Sequence, residues 1–562
     1  MAAGSFALVL HGHVPYVLKH GRWPHGEQWL YEAAAETWLP LLEVLDACHQ
    51  AGATANLTLG LTPILLEQLA HPAFKEGLPL WLAEREQRAH ADERSFQEWG
   101  DAHLAFLARR QADRFMDLAE RFEAIDRDLP GAFAALWRAG EVELISSGAT
   151  HGYQPLLLHD ASCRAQIRQG LRSSERILGQ RPRGFWLPEC AYRPAGSWTP
   201  PAVHGDARLR QGTDRLLADE GVAYTFVDAH LFRGLRSEGL LGPEGFRKVG
   251  WDQAGWDTER AWRSVLEPHL ASSEGSPRGV SVFARHPEVS EQVWSGQVGY
   301  PADGRYLEFH KKHGDNGLRY WKVTSARAGL GDKDRYHPDD IPGAVYSHAQ
   351  HFCAVVRSIL KRHRAETGRH GVVVAPFDAE LFGHWWHEGP LFLRDVLLTL
   401  HADPEVEVTT AGAFLDDHPA DKVAWLPEGS WGEGGDHRVW FNDGQRWMWE
   451  VLYRAEDRFG ALCLAQPWRD DPALRRLLED AGRELLLLQA SDWPFVVHTQ
   501  GAPDYGIKRF TQHATRFDRI CDMVVDVGEG RTLAPYQEAI LAEARACDDV
   551  FPDVDLALWH DP

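Results

Sequence analysis

Val373-Val374-Ala375-Pro376-Phe377-Asp378-Ala379-Glu380-Leu381-Phe382-Gly383-His384-Trp385-Trp386 is the stretch from which the fold is read. Residues Val372 to Ala375 are apolar without interruption, and the run then breaks at Pro376 into acids, a glycine, a histidine and two tryptophans. A parallel strand buried on both faces is apolar along its length. In α/β barrels the chemistry collects where such strands end. Asp378 is therefore a candidate catalytic carboxylate, with Trp385 and Trp386 a candidate platform for a flat, hydroxylated ligand. The plainer alternative is that Asp378 caps the helix that follows.

A second stretch of the same form lies upstream: Gly184-Phe185-Trp186-Leu187-Pro188-Glu189-Cys190-Ala191-Tyr192. Two carboxylates at two strand ends, set among tryptophans, suit glycosidic-bond chemistry. One attacks or stabilises the anomeric carbon and the other protonates the leaving oxygen. The C–H faces of sugars pack on indole, while their hydroxyls need polar partners.

Between and around these stretches the pattern alternates. Apolar runs at Phe6–Leu10, Ala55–Leu61, Val142–Ser147, Gly184–Glu189, Tyr224–His230, Val280–Arg285 and Val372–Ala375 read as strands, with helical spacing between them. That alternation predicts a parallel α/β barrel or open sheet with right-handed crossovers. Glu405–Thr410 is a weak, polar candidate for an eighth strand. The expected organisation is a catalytic region over 1–420, a helical insertion over 75–140 and a helical C-terminal domain over 421–562. Leu231–Arg278, rich in Gly, Trp and charge, reads as a long excursion over the mouth of the sheet.

Composition narrows the partners. With 59 Lys+Arg against 81 Asp+Glu, the net charge of −22 argues against nucleic acid and anionic membrane, which require a basic footprint. The 23 Trp nearly equal the 24 Phe, a ratio that favours a carbohydrate surface over core packing alone. No apolar run approaches the roughly 18 residues of a membrane span. The seven cysteines are odd in number, and no C-x-x-C pair occurs among them. They predict reduced thiols in a cytoplasmic protein, and a monomer or small homo-oligomer is expected.

His11 and His13 are two apart and point the same way on a strand. An H-x-H at a strand end can hold zinc or bond to sugar hydroxyls. No D-x-H or H-E-x-x-H nearby adds ligands, so no metal is expected. His151 is either a third member of the set or a buried structural histidine. Asp492, in Ser491-Asp492-Trp493-Pro494-Phe495, either caps its own helix or reaches the cleft from the C-terminal region.

Taken together, H-x-H-x-P-Y (11–16), Ser147-Gly148-Ala149-Thr150-His151-Gly152-Tyr153, W-L-P-E-C-A-Y (186–192), P-F-D-A-E-L-F-G-H-W-W (376–386) and the later S-D-W-P-F resemble glycoside hydrolase family 57. Within it, the set is similar to the 1,4-α-glucan branching enzymes, over about residues 5–520. The resemblance implies an incomplete (β/α)7 barrel with a helical insertion and a helical C-terminal domain. It implies Glu189 as nucleophile and Asp378 as general acid/base. It places His11, His13, His151, Arg285, Trp294, Trp431, Trp440 and Asp492 along an α-glucan cleft, with no cofactor. A hydrolase or a 4-α-glucanotransferase on the same site is the nearest alternative, and a metal-dependent carbohydrate deacetylase using His11 and His13 a remote one. The family pattern also carries a loop tyrosine after the fifth strand. None occurs between Tyr224 and Tyr300; Phe246, Trp251, Trp256 and Trp262 stand there instead, as a partial lid.

Overall fold

Seven apolar segments pair in parallel in the computed structural model, which describes residues 2–22, 24–203, 205–248, 264–314 and 317–560. They are β1 (Gly4–Gly12), β2 (Leu57–Leu61), β3 (Val142–Ser147), β4 (Gly184–Trp186), β5 (Tyr224–Val227), β6 (Val280–Ala284) and β7 (Gly371–Asp378). The order across the sheet is β7-β1-β2-β3-β4-β5-β6. Every neighbouring pair in that run is parallel, as helical crossovers demand.

The register brings all the carboxyl ends to one side, with His11 of β1 opposite Asp378 of β7 and Gly60 of β2. Between β6 and β7 there is no ladder among the described residues; the His286 N–H donates to the Val374 carbonyl across the seam at 3.0 Å. The inward faces carry Ala7, Val9, Ile145, Trp186, Tyr224, Phe226, Phe283 and Val374 as one buried cluster, with Phe414 packed against them. That face of the sheet is thus covered by packed side chains.

The sheet extends past β6 through His269–Ala271, Lys422–Trp425 and a hairpin of Arg236–Gly242 with Gly245–Lys248. Two expectations are corrected here. The 231–278 segment is not simply an excursion over the mouth, because its described part builds sheet. The sheet also runs on beyond residue 420. Trp251, Trp256 and Trp262, expected in the lid, lie outside the described residues. The weak eighth strand, Val406–Val408, pairs with β1 alongside Gly4 to Phe6.

Helices flank this sheet. Pro72–Glu98 and Ala102–Ala124 form a long pair. After residue 440 the chain is helical: Arg446–Ala465, Pro472–Leu488, Asp492–His498, Pro503–Gly528 and Pro535–Cys547. Buried Glu456 ties this region to the sheet, its Oε2 accepting from the N–H groups of Leu158 and His159 at the start of helix Asp160–Leu178. A carboxylate there meets the free donors and positive end of the helix. No described helix is long and apolar enough to cross a membrane.

Candidate active site

Glu189 sits just past β4 in a left-handed turn, with φ of 61° and 49° at Glu189 and Cys190. Such backbone is costly for residues other than glycine and persists where the surroundings impose it. Here the clamp is the 429–431 loop. Tyr192 and Gly429 exchange backbone hydrogen bonds at 2.9 and 3.0 Å, and the Trp431 N–H donates to the Glu189 carbonyl at 3.0 Å. The Trp431 indole then donates from Nε1 to Glu189 Oε2 at 2.8 Å.

Asp378 is the last residue of β7. Its side chain makes no capping hydrogen bond to the following turn, so the capping alternative falls away. Both carboxyls are pushed up by burial: Glu189 to about 8, against the bond from Trp431 and with Asp378 and Asp492 adding to the rise, and Asp378 to about 7, against His13 and Arg285. Two such groups that feel each other titrate as a pair. Near neutral pH the pair holds one proton. The indole donor favours the anion on Glu189 and offsets part of the rise that burial imposes there.

Three imidazoles pack beside the pair. His13 and His151 stack at 4.1 Å and 22°, and His11 lies on the Trp186 ring at 4.6 Å and 13°. The Nε2 atoms of His11 and His151 are 3.1 Å apart. Burial, with the neighbouring imidazoles adding to it, holds both well below the usual histidine value, so they are neutral hydrogen-bonding groups. His151 Nδ1 is 3.8 Å from Glu189 Oε1 and 2.9 Å from Ser491 Oγ. His13 Nε2 donates to Asp492 at 3.0 Å, and Nδ1 bonds to Thr62 Oγ1 at 3.0 Å. Ser491 and Asp492 come from the C-terminal region, which therefore reaches the cleft.

These nitrogens pair with the partners named, while His11 Nδ1 is buried with no partner among the described residues. Among the described residues, the three-residue set whose ligand atoms approach within 4.8 Å is Glu484, His513 and Asp548, far along the chain. Those atoms are already taken up by one another, by His20 and by Arg509 and Arg516.

The remaining expected residues divide. Arg285 lies over the Trp431 ring at 5.5 Å and bonds to Asp228; Trp294 stands at 6.2 Å from Trp431 and is partly exposed. Trp385 is 53% exposed and lies against Phe309 at 4.3 Å. Its neighbour Trp386, expected to share that platform, is 2% exposed and packs on Phe382 and Phe392. Trp440 is 1% exposed and stacked on Tyr153 at 4.4 Å, so it supports the 432–440 loop from beneath instead of facing the cleft.

Sequence reasoning missed Thr62, Glu380 and Ser491. Glu380 Oε1 accepts from the His13 N–H at 3.0 Å, joining the ends of β1 and β7. Its position inside the quoted stretch was the available signal, as was the place of Ser491 beside Asp492. Thr62 gave none.

Comparison with known proteins points the same way as this geometry. The sequence model of glycosyl hydrolase family 57 matches residues 7–427, and one described as 1,4-alpha-glucan branching enzyme, C-terminal, matches 451–559. The chain is 38% identical over 523 residues to a 1,4-alpha-glucan branching enzyme of Thermococcus kodakarensis, covering 93% of this chain and 74% of that protein. It resembles the crystal structure of the branching enzyme of this family from Pyrococcus horikoshii with a TM-score of 0.89 at 36% identity, covering 99% of this chain and 97% of that one. An alpha-amylase from Thermotoga maritima gives 0.81 at 27% identity, covering 100% and 99%. The chain belongs to glycosyl hydrolase family 57.

Proposed function

We propose that this protein is a retaining 1,4-α-glucan branching enzyme. Glu189 and Asp378 act on a glucan held by His11, His13, His151, Arg285, Trp294, Trp385, Trp431 and Asp492. The observation that supports the reading is the buried pair itself: two carboxyls at the strand ends, both raised by burial, with an indole N–H fixed on Glu189.

The chemistry follows from that pair. Glu189 attacks the anomeric carbon of an α-1,4-linked unit; the bond from that carbon to O4 breaks, and O4 takes the proton of Asp378. The β-glucosyl ester left on Glu189 waits for an acceptor. Asp378, now a base, takes the proton of a 6-hydroxyl as its oxygen displaces Glu189. Two inversions leave an α-1,6 branch with the anomeric configuration retained. Each proton is carried by these side chains, and no step calls for a cofactor.

For the architecture we propose an incomplete (β/α)7 barrel over 1–420, open between β6 and β7 and extended by the strand Lys422–Trp425, with a helical insertion over 75–140 and the rest of 421–562 as a helical domain. The parallel order of β1 to β7 and the helices after residue 440 support it. A cytoplasmic setting fits the seven cysteines, which are all free.

Hydrolysis is the second reading, favoured by the likeness to the Thermotoga maritima alpha-amylase. The higher identity to branching enzymes and the match of their C-terminal model favour transfer. The deciding experiment is the product spectrum on amylose. Branching gives new α-1,6 linkages by proton NMR with few new reducing ends, and Glu189→Gln and Asp378→Asn each abolish it. Reducing ends without branch points would replace this reading with the hydrolase.

A further inference from the structure

Behind the loop that carries Trp385 lies a cavity of about 460 Å³. It is bounded by helix Ala102–Ala124 on one side and by Glu36, Arg319, Glu388 and Leu391 on the other. Neither catalytic carboxylate lines it, nor does any of the three cleft histidines. Its size falls in the range of small-ligand sites.

Glu388 is the feature that points to a ligand. It is 1% exposed, and its Oε1 accepts from the Leu307 N–H at 3.0 Å and the Tyr336 hydroxyl at 2.7 Å. Its Oε2 is buried with no partner among the described residues. A buried carboxylate oxygen without a donor is costly, and a donor supplied by a ligand removes that cost.

The rest of the lining says what kind of ligand. Arg319 donates to Glu36 at 2.6 Å, and Arg114 grips Glu43 through two bonds at 2.8 and 2.9 Å. Arg85 and Arg110 line the wall as well, so four guanidiniums alternate with the carboxyls of Glu36, Glu43 and Glu388, and a phosphate or sulfate would meet both signs. A neutral polyol suits such a wall better, donating to carboxylates and accepting from guanidiniums. Leu307, Leu318 and Pro342 offer apolar surface between the charges for C–H faces.

We propose that this cavity is a second binding site for the end of an α-glucan, holding one or two glucosyl units with a hydroxyl donating to Glu388 Oε2. The choice of sugar rests on the function proposed above; the existence of the site does not. Arg319 also donates to the His384 carbonyl, and Glu36 accepts from His384 Nδ1. A sugar bound here therefore contacts the side chains that hold the Trp385 loop.

The test is calorimetric titration of maltose into the full-length Glu189→Gln protein, alone and with a second change. Leu391 is 39% exposed at the rim, so Leu391→Trp narrows the entrance without disturbing the core. Glu388→Gln keeps the shape but replaces the orphan oxygen with a donor. Two classes of maltose site are expected; each second change weakens one class at least tenfold and leaves the other alone, and crystals soaked in maltose show the sugar against Glu388. A single class indifferent to both changes overturns the proposal and leaves the cleft reading standing. Loss of the cleft class alone does the reverse. Glucose 6-phosphate binding the cavity at least tenfold more tightly than maltose would make it an anion site and overturn the sugar assignment.

Discussion

At the scale of single residues the protein depends on where one proton sits. In the proposed mechanism Glu189 must be ionised to attack and Asp378 protonated to assist. With burial raising the two carboxyls to about 8 and about 7, kcat/KM should form a bell around neutral pH. It falls on the acid side as the pair gains a second proton and on the alkaline side as it loses its last one. An acid limb near 4, where ordinary carboxyls titrate, would show that the pair is not desolvated as described. The same burial sets a stability term. A carboxyl raised on folding stabilises the fold fully below its unfolded value and loses that contribution as pH rises through the folded one. Glu189→Gln keeps an acceptor for Trp431 and removes the charge. It should therefore be more stable than the wild type at pH 9, by on the order of 5 kcal/mol, and equal to it at pH 4. Chemical denaturation at the two pH values checks this, and equal stability at both would mean that Glu189 ionises without penalty.

At the scale of elements, the loop from Asp378 to Glu388 shows why a short stretch could be read and where the reading stopped. The change from Val373-Val374-Ala375 to Asp378 was legible because a doubly buried strand has no other way to become polar than to end. The two indoles that follow were not separable, since adjacent side chains after a strand part company only when the turn is known. Trp386 went to the core and Trp385 to solvent. The π-helical turn Ala34–Trp38, which presents Glu36 to His384 and Arg319, left no periodic trace in the helical spacing between the first two strands. Nor did the Arg236–Gly242 hairpin, whose pairing partner lies far off at Lys422–Trp425. Gly383 seats the loop on that π-turn: it has a φ of 118°, and a Cβ there would lie 1.7 Å from the Glu36 carbonyl oxygen. Gly383→Ala should cost about 3 kcal/mol in strain and overlap. It should also raise KM for amylose more than it lowers kcat, because the loop carries Trp385 and the chemistry lies on β4 and β7. A Tm and KM unchanged from wild type would remove the loop from the cleft.

At the scale of the whole molecule, the C-terminal helices and the first strand's loop are joined through a buried set of charges that composition could not reveal. Asp548 is 1% exposed and accepts from His20 at 2.7 Å and from Arg516. His513 bonds to Glu484 at 2.8 Å and to Arg509 at 2.8 Å. The next residue, Asp549, reaches Lys19 at 2.7 Å and His71 at 3.0 Å, but is 38% exposed. Burial alone would raise the Asp548 carboxyl; the His20 hydrogen bond, with His513, His20 and Arg516 around it, outweighs burial and holds it well below the usual carboxylate range. Its stabilising contribution is thus present above the unfolded value and lost as pH falls through the folded one. Removing one member of a buried set strands the others, which costs about 3–5 kcal/mol, whereas an exposed pair contributes about 1 or less. Asp548→Asn should therefore lower Tm sharply at pH 7 and Asp549→Asn barely, both read by calorimetry on the full chain. The loop pinned by Asp548 follows His13, so Asp548→Asn should also lower kcat/KM below the melting transition, through the bond from His13 to Asp492. Equal, small losses in both variants would place the anchorage in the backbone contacts of the tail, such as the Tyr16 hydroxyl donating to the Cys547 carbonyl at 2.7 Å, and not in the buried ion pair.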